Sequence, residues 1–375
     1  MDKLKEFFAK NDVHIGTGKD FTVNPPVYYS SLDEAFYHYF LTFRDKKETY
    51  HFIFDIHSWS RESLAFNFTG GISNIVTTIL SFHRFVELLL KDILRRINPF
   101  LAVKSFEKEE ELFLFLNQRI EADEIKTIEF SEALKRINYA FKFYPETSQE
   151  YIDFLKPCEF IVSPDALTTF KYLAEWRNRI MHNGSTLPNL FAFDYLISQK
   201  VIPLIAQVLE AEKKYLDGFT PPYFKTQTGI NIIEEIIKVK FEVADFGDIK
   251  KSHDLGLAFL KLGHLKEIGR SAYNLASTFS KGKSLTEPYY NDPVQRDEKF
   301  AAAECSHQDF FALKNCLCCG ANAMVVYRQD AIDFASNSKT FISWLQCYHC
   351  RYSLKNNMGD PAFFELCDVP LFATQ

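Results

Sequence analysis

The stretch GISNIVTTILSFHRFVELLLKDILRRINP, residues 71–99, decides the fold class. At about 100° per residue, Ile75, Ile79, Phe82, Val86, Leu89 and Ile93 fall on one stripe. Val76, Leu80 and Leu94 widen that stripe to more than half of the circumference. A helix so broadly apolar belongs at the centre of a bundle, covered by other helices. Glu87 interrupts the wider side and reads as an edge residue reaching water. Lys91, Arg95 and Arg96 read as surface charges suited to the negative end of the helix.

Working outward, SLDEAFYHYFLTF (31–43), EEELFLFLNQRI (109–120), SEALKRINYAF (131–141) and SQEYIDFLK (148–156) carry helical periodicity. IVSPDALTTFKYLA (161–174) opens another helix, with Ser163 as cap and Pro164 in the first turn. LFAFDYLISQKVIPLIAQVLEAEKKYLDG (190–218) is long and amphipathic, and Pro203 should kink it. Together these predict an all-α bundle over residues 66–218, left through the linker GFTPP (218–222). A helical connecting region follows over 223–300, its lysines read as a solvated surface. SLTEPYYNDPVQRDEK (284–299) reads as a loop. Residues 1–65 have no clear role, although HFIFDIHSW (51–59) alternates like a strand and puts His51, Asp55 and His57 on one face. A metal site there would need further ligands that the spacing does not supply.

The 375 residues are 47% hydrophobic and 25% charged, ordinary for a folded globular chain. A net charge of -6 disfavours general coating of nucleic acid, so any contact with RNA must be local. No apolar signal-peptide run opens the sequence, and no segment offers about 18 uninterrupted apolar residues to a membrane. A cytoplasmic protein without membrane attachment is the expectation. Of the eight cysteines, those at 316, 318, 319, 347 and 350 cluster, which points to a metal site in a reducing compartment.

That cluster is organised. Cys316-x-x-Cys319 is followed by Gly320, and Cys347-x-x-Cys350 lies after the strand-like runs MVVY (324–327) and FISWL (341–345). Each Cys-x-x-Cys turn lets two thiolates converge on one ion, and the glycine permits the tight turn. The unit over 301–375 is similar to a zinc ribbon with short β-strands. Four sulfur ligands close the coordination sphere, so Zn2+ held by Cys316, Cys319, Cys347 and Cys350 is expected to be structural. Cys318 has poorer spacing, His349 lies inside the second knuckle, and Cys305 and His307 are weaker candidates. Cys158 and Cys367 read as buried core residues.

The remaining candidate chemistry sits in EWRNRIMHNG (175–184). Ala166, Phe170, Leu173, Ala174 and Met181 share an apolar arc, and Arg177 falls near its centre. A charge on such a stripe is costly unless it is paired or faces a wet cleft. Arg177, Asn178 and His182 in a helical bundle resemble the signature of the HEPN ribonucleases, an arginine, a polar residue and a histidine after four intervening positions. The resemblance covers roughly residues 66–218. It implies a HEPN-like bundle and a homodimer whose two motifs face a shared cleft. It further implies an endoribonuclease that needs no metal or other cofactor for catalysis, acting as a toxin or antiviral defence effector. An antitoxin or sensor protein would be its regulatory partner. In that chemistry the 2′-hydroxyl of RNA attacks the adjacent phosphorus, His182 moves the proton, and Arg177 stabilises the phosphoryl charge. Asn178 would orient the histidine or the phosphate. On a wheel, Arg177 and His182 diverge by about 140°, which a shared cleft between two copies would reconcile. The competing reading is a non-catalytic bundle and zinc ribbon that bind nucleic acid or a partner.

Overall fold

The computed structural model describes residues 27–45, 72–104, 126–183, 187–188, 190–213, 221–240, 249–280, 293–306, 311–331, 339–355 and 361–366. The described chain is mainly α-helical, with one small antiparallel sheet near its C-terminal end. His51, Asp55 and His57, the EEELFLFLNQRI segment, His307 and Cys367 lie outside the described residues. Two compact units emerge. One comprises Met1–Glu34, Ile79–Arg177 and Gln207–Phe219; the other comprises Ala35–Thr78, Asn178–Ala206 and Thr220–Gln375.

The helices in order are α1 (Val27–Asp45), α2 (Ile72–Ile97), α3 (Phe130–Phe143), α4 (Pro164–Asn183), α5 (Leu190–Leu196), α6 (Ile202–Glu212), α7 (Ile232–Lys238), α8 (Ile249–Ser280) and α9 (Pro293–Cys305). In the first unit, the α2 residues Ile79, Phe82, Val86, Leu89 and Ile93 are buried, as the stripe predicts, and so are Phe85 and Leu90. The terminal charges of α2 are a correction to the surface reading. Lys91 is 6% exposed and bonds Glu87 Oε1 at 2.6 Å and Thr127 at 3.3 Å. The Arg96 guanidinium grips Glu212 with two bonds of 3.0 and 2.7 Å, and also pairs with Asp92. Tyr28 joins the group by donating to Glu212 at 3.2 Å. Because α6 and α1 bring acceptors to this end of α2, the charges are satisfied under cover rather than in water.

Ser163 caps α4 through the Ala166 N–H, at 3.2 Å. From Leu190 to Glu212 the chain is helical, with a π-turn over Ile197–Val201 shortly before Pro203. Proline has no N–H and its ring crowds the carbonyl four residues back, so the wider turn absorbs the mismatch. By length and composition, Ala192–Glu212 is apolar enough to cross a membrane, yet 56% of its apolar window is buried within the protein. It serves as a core element.

In the second unit, α8 takes the central place. Every residue from Leu262 to Ala272 is buried, including Lys266, Glu267 and Arg270, which overturns the reading of this region as a solvated surface. Lys266 Nζ donates to Asp194 of α5 at 2.5 Å and to Thr42 of α1 at 3.1 Å, beneath the rings of Tyr39 and Phe193. A Cβ on Gly269 would meet the Phe40 ring at 2.6 Å, so only glycine allows α1 and α8 so close. Residues 293–305 are helical rather than loop; Asp292-Pro293 is an ordinary sequence signal for a helix start. The sheet is an antiparallel meander of β1 (Phe311–Lys314), β2 (Met324–Ala331), β3 (Lys339–Cys347) and β4 (Ser353–Lys355).

Candidate functional site

The candidate residues of the sequence fall into two groups. The first is the C-terminal turn region of α4. Ala166, Phe170 and Leu173 are buried, and Arg177, one turn further along that stripe, is half-buried. Met181 is 57% exposed, so the apolar arc leaves the core after Leu173. Asn178 and His182 are exposed. The helix continues to Asn183, so five steps of about 100° set Arg177 and His182 about 140° apart around its axis.

The immediate surroundings of Arg177 were not legible in the sequence. His83 of α2 is 6% exposed, stacks on Phe130 at 4.6 Å between ring centroids, and lies 3.9 Å from Glu87. Burial pushes its pKa down to about 4; Glu87 opposes this, while the charges of Arg177 and Lys91 add to it. At neutral pH the imidazole is therefore neutral, and Glu87 Oε1 accepts from Lys91 at 2.6 Å. The i, i+4, i+8 spacing of His83, Glu87 and Lys91 was visible on the wheel, but the burial of His83 and Lys91 was not.

The second group is the cysteine quartet. The sulfur atoms of Cys316, Cys319, Cys347 and Cys350 all lie within 4.8 Å of one another, and all four residues are buried. Cys316 and Cys350 are 3.5 Å apart, and Cys319 and Cys347 are 3.7 Å apart. Four thiolates about 2.3 Å from a tetrahedral zinc would stand about 3.8 Å apart, so the donor set fits a metal ion such as zinc. The two knuckles have the same backbone plan. Gly320 N–H bonds Cys316 O at 2.8 Å, and Arg351 N–H bonds Cys347 O at 3.0 Å. Both residues after the second cysteine are left-handed, Gly320 with φ 74° and Arg351 with φ 64°.

Elements of the second unit hold each knuckle. Thr228 donates to Leu317 O, and Gln227 N–H bonds Cys318 O at 3.1 Å. The fifth thiol, Cys318, turns away from the quartet toward Ile268 O, at 3.7 Å. His349 faces Asp297, with Nδ1 3.1 Å from its carboxylate. Cys305 is half-buried and stands outside the quartet, and Cys158 is buried in the other unit.

Two outcomes follow from these sites. Freshly purified protein should contain about one zinc per chain, and Cys347→Ser/Cys350→Ser should abolish it; full zinc in that variant would contradict the quartet. The His83 pKa lies below its usual unfolded value of about 6.5, so its contribution is complete above that pH and is lost as pH falls toward 4. The total is about 3 kcal/mol. Urea unfolding between pH 7.5 and 4.5 should show His83→Phe losing less stability than wild type by roughly that amount. Parallel losses in the two proteins would contradict the buried neutral imidazole.

Comparison with protein-family models, with curated proteins and with solved structures finds no match to this chain, so its function has to be argued from these two groups of residues.

Proposed function

We propose that this protein is a metal-independent endoribonuclease, with Arg177, Asn178 and His182 as its reacting groups. The observation that carries the reading is the disposition of the motif on α4. His182 and Asn178 are exposed near the end of the helix, while the half-buried Arg177 stands beside an imidazole that is neutral at physiological pH. The arginine fork would bind two phosphate oxygens and stabilise the charge that builds on them as the 2′-hydroxyl attacks. His182 would take the hydroxyl proton or deliver one to the leaving 5′-oxygen, and Asn178 would hold either partner in line.

Because one helix cannot aim Arg177 and His182 at the same phosphate, the reading requires a homodimer. Arg177 of one copy would work with His182 of the partner subunit across a shared cleft. Met181, 57% exposed and one turn after Arg177, offers apolar surface for such a contact. The quartet of Cys316, Cys319, Cys347 and Cys350 would hold zinc as a structural ion, since four sulfur ligands leave no position for a substrate or water. The role of a toxin or antiphage effector in the cytoplasm, restrained by an antitoxin or triggered by a sensor protein, follows from the resemblance of the Arg177–His182 motif to the HEPN ribonucleases.

The test is incubation of the zinc-loaded protein with total RNA in excess EDTA. Wild type should cut and leave 2′,3′-cyclic phosphate ends. His182→Ala and Arg177→Ala should each lose at least about a hundredfold in rate while remaining folded. Cleavage of a deoxy substrate at a comparable rate, a strict need for added magnesium, or wild-type activity in His182→Ala would defeat the reading.

A further inference from the structure

The two metal knuckles share a backbone plan but differ at one position. After Cys319 the left-handed residue is glycine, which adopts φ 74° freely. After Cys350 it is Arg351, and a residue with a Cβ is strained at φ 64°. Something must hold that turn, and α8 supplies it. Arg270 Nη2 donates to Arg351 O at 2.5 Å, and Glu267 Oε1 accepts from the Ser353 N–H at 2.9 Å and from its hydroxyl at 3.4 Å. The same two side chains lock each other through a fork of 2.8 and 2.5 Å. Glu267 is fully buried and Arg270 is 2% exposed, so neither bond competes with water.

We propose that Glu267 and Arg270 form a clamp that holds the left-handed turn at Arg351 in its metal-binding shape, and thereby set the affinity of the four-cysteine centre. Neither residue is a ligand. They are positioning residues, one element away from the sulfur atoms, and they fix the backbone from which Cys350 reaches the ion. Metal binding must hold the knuckle closed, so anything that lowers the cost of the turn adds to affinity, and anything that removes the clamp subtracts from it. In the first knuckle Thr228 and Gln227 bond the carbonyls of Leu317 and Cys318, and the left-handed position itself is unstrained because Gly320 carries no Cβ.

The inference rests on the metal reading of the quartet, and the experiment separates the two. Zinc affinity is measured on the full-length protein by competition with a chromophoric chelator, alongside circular dichroism to confirm folding. Wild type should retain one zinc; no binding at all would overturn the metal reading itself, and the clamp with it. Glu267→Gln/Arg270→Met removes both charges together, so that no single buried charge is stranded, and should weaken zinc roughly ten- to a hundredfold. Adding Arg351→Gly to that variant should recover about five- to tenfold. Arg351 is exposed, so its substitution reports on the backbone alone. Should the clamp variant fail to fold, Arg351→Gly and Arg351→Val in the otherwise native protein decide the matter. Glycine should bind zinc more tightly than wild type and valine more weakly. Unchanged affinity in the clamp variant, failure of glycine to recover it, or equal affinities for the glycine and valine proteins would overturn the clamp.

Discussion

A helix that carries Lys266, Glu267 and Arg270 into a water-free interior must find a partner for every charge, and the positions of those partners dictate how the second unit is assembled. Each ion left unpaired there would cost several kcal/mol. Lys266 is satisfied only if α5 brings Asp194 and α1 brings Thr42 to the same point. Glu267, the next residue, and Arg270, one turn on, are satisfied only if the strand and turn after Cys350 lie against the helix. Three residues of α8 thus tie two helices and the sheet into one body. Phe40, Phe193 and the helix's own Phe259 are buried as well, but hydrophobic burial is not directional. The ion pairs are directional, and they specify the arrangement.

This explains which parts of the structure were legible in the sequence. The stripe of α2, the helices around Phe130–Phe143 and Pro164–Asn183, and the strands before and within the second knuckle follow from periodicity, which reads local geometry. The metal quartet was legible because Cys-x-x-Cys spacing is itself a geometric constraint. What periodicity cannot report is the pairing of a charge with a residue distant in the chain. Lys91, Arg96, Lys266 and Arg270 all looked like surface residues, because a lysine or arginine on a helix usually is one. Their partners at Thr127, Glu212, Asp194 and Arg351 become visible only once the chain is folded. In the polar seam of His83, Glu87 and Lys91, Glu87 and Lys91 look solvent-facing in the sequence, and the burial of His83 and Lys91 emerges only in the fold. Pro293 was passed over because a polar composition outweighed a good start signal.

The functional reading gains a physical basis from the setting of the motif. Arg177 continues the buried stripe of Phe170 and Leu173 to the edge of the core, where its charge contributes to keeping His83 neutral. Arginine in that position keeps its charge where a lysine could lose it, and its fork matches a phosphate. His182 sits in the last turn of the same helix, on another face. A continuous helix is a poor scaffold for bringing the two together within one chain, and a good one for presenting each to a symmetry-related copy.

That geometric constraint makes the composite cleft the central claim of the account, and subunit mixing tests it most directly. Arg177→Ala and His182→Ala proteins, each inactive alone, are mixed in equal amounts under conditions that allow subunit exchange. If Arg177 of one copy works with His182 of the other, each mixed dimer regains one intact cleft. Cleavage should then return to about a quarter of the wild-type rate, the statistical share for random exchange in a two-fold dimer. If the mixture stays inactive although exchange is demonstrated by differently tagged subunits, the cleft is not shared in this way and the account is wrong.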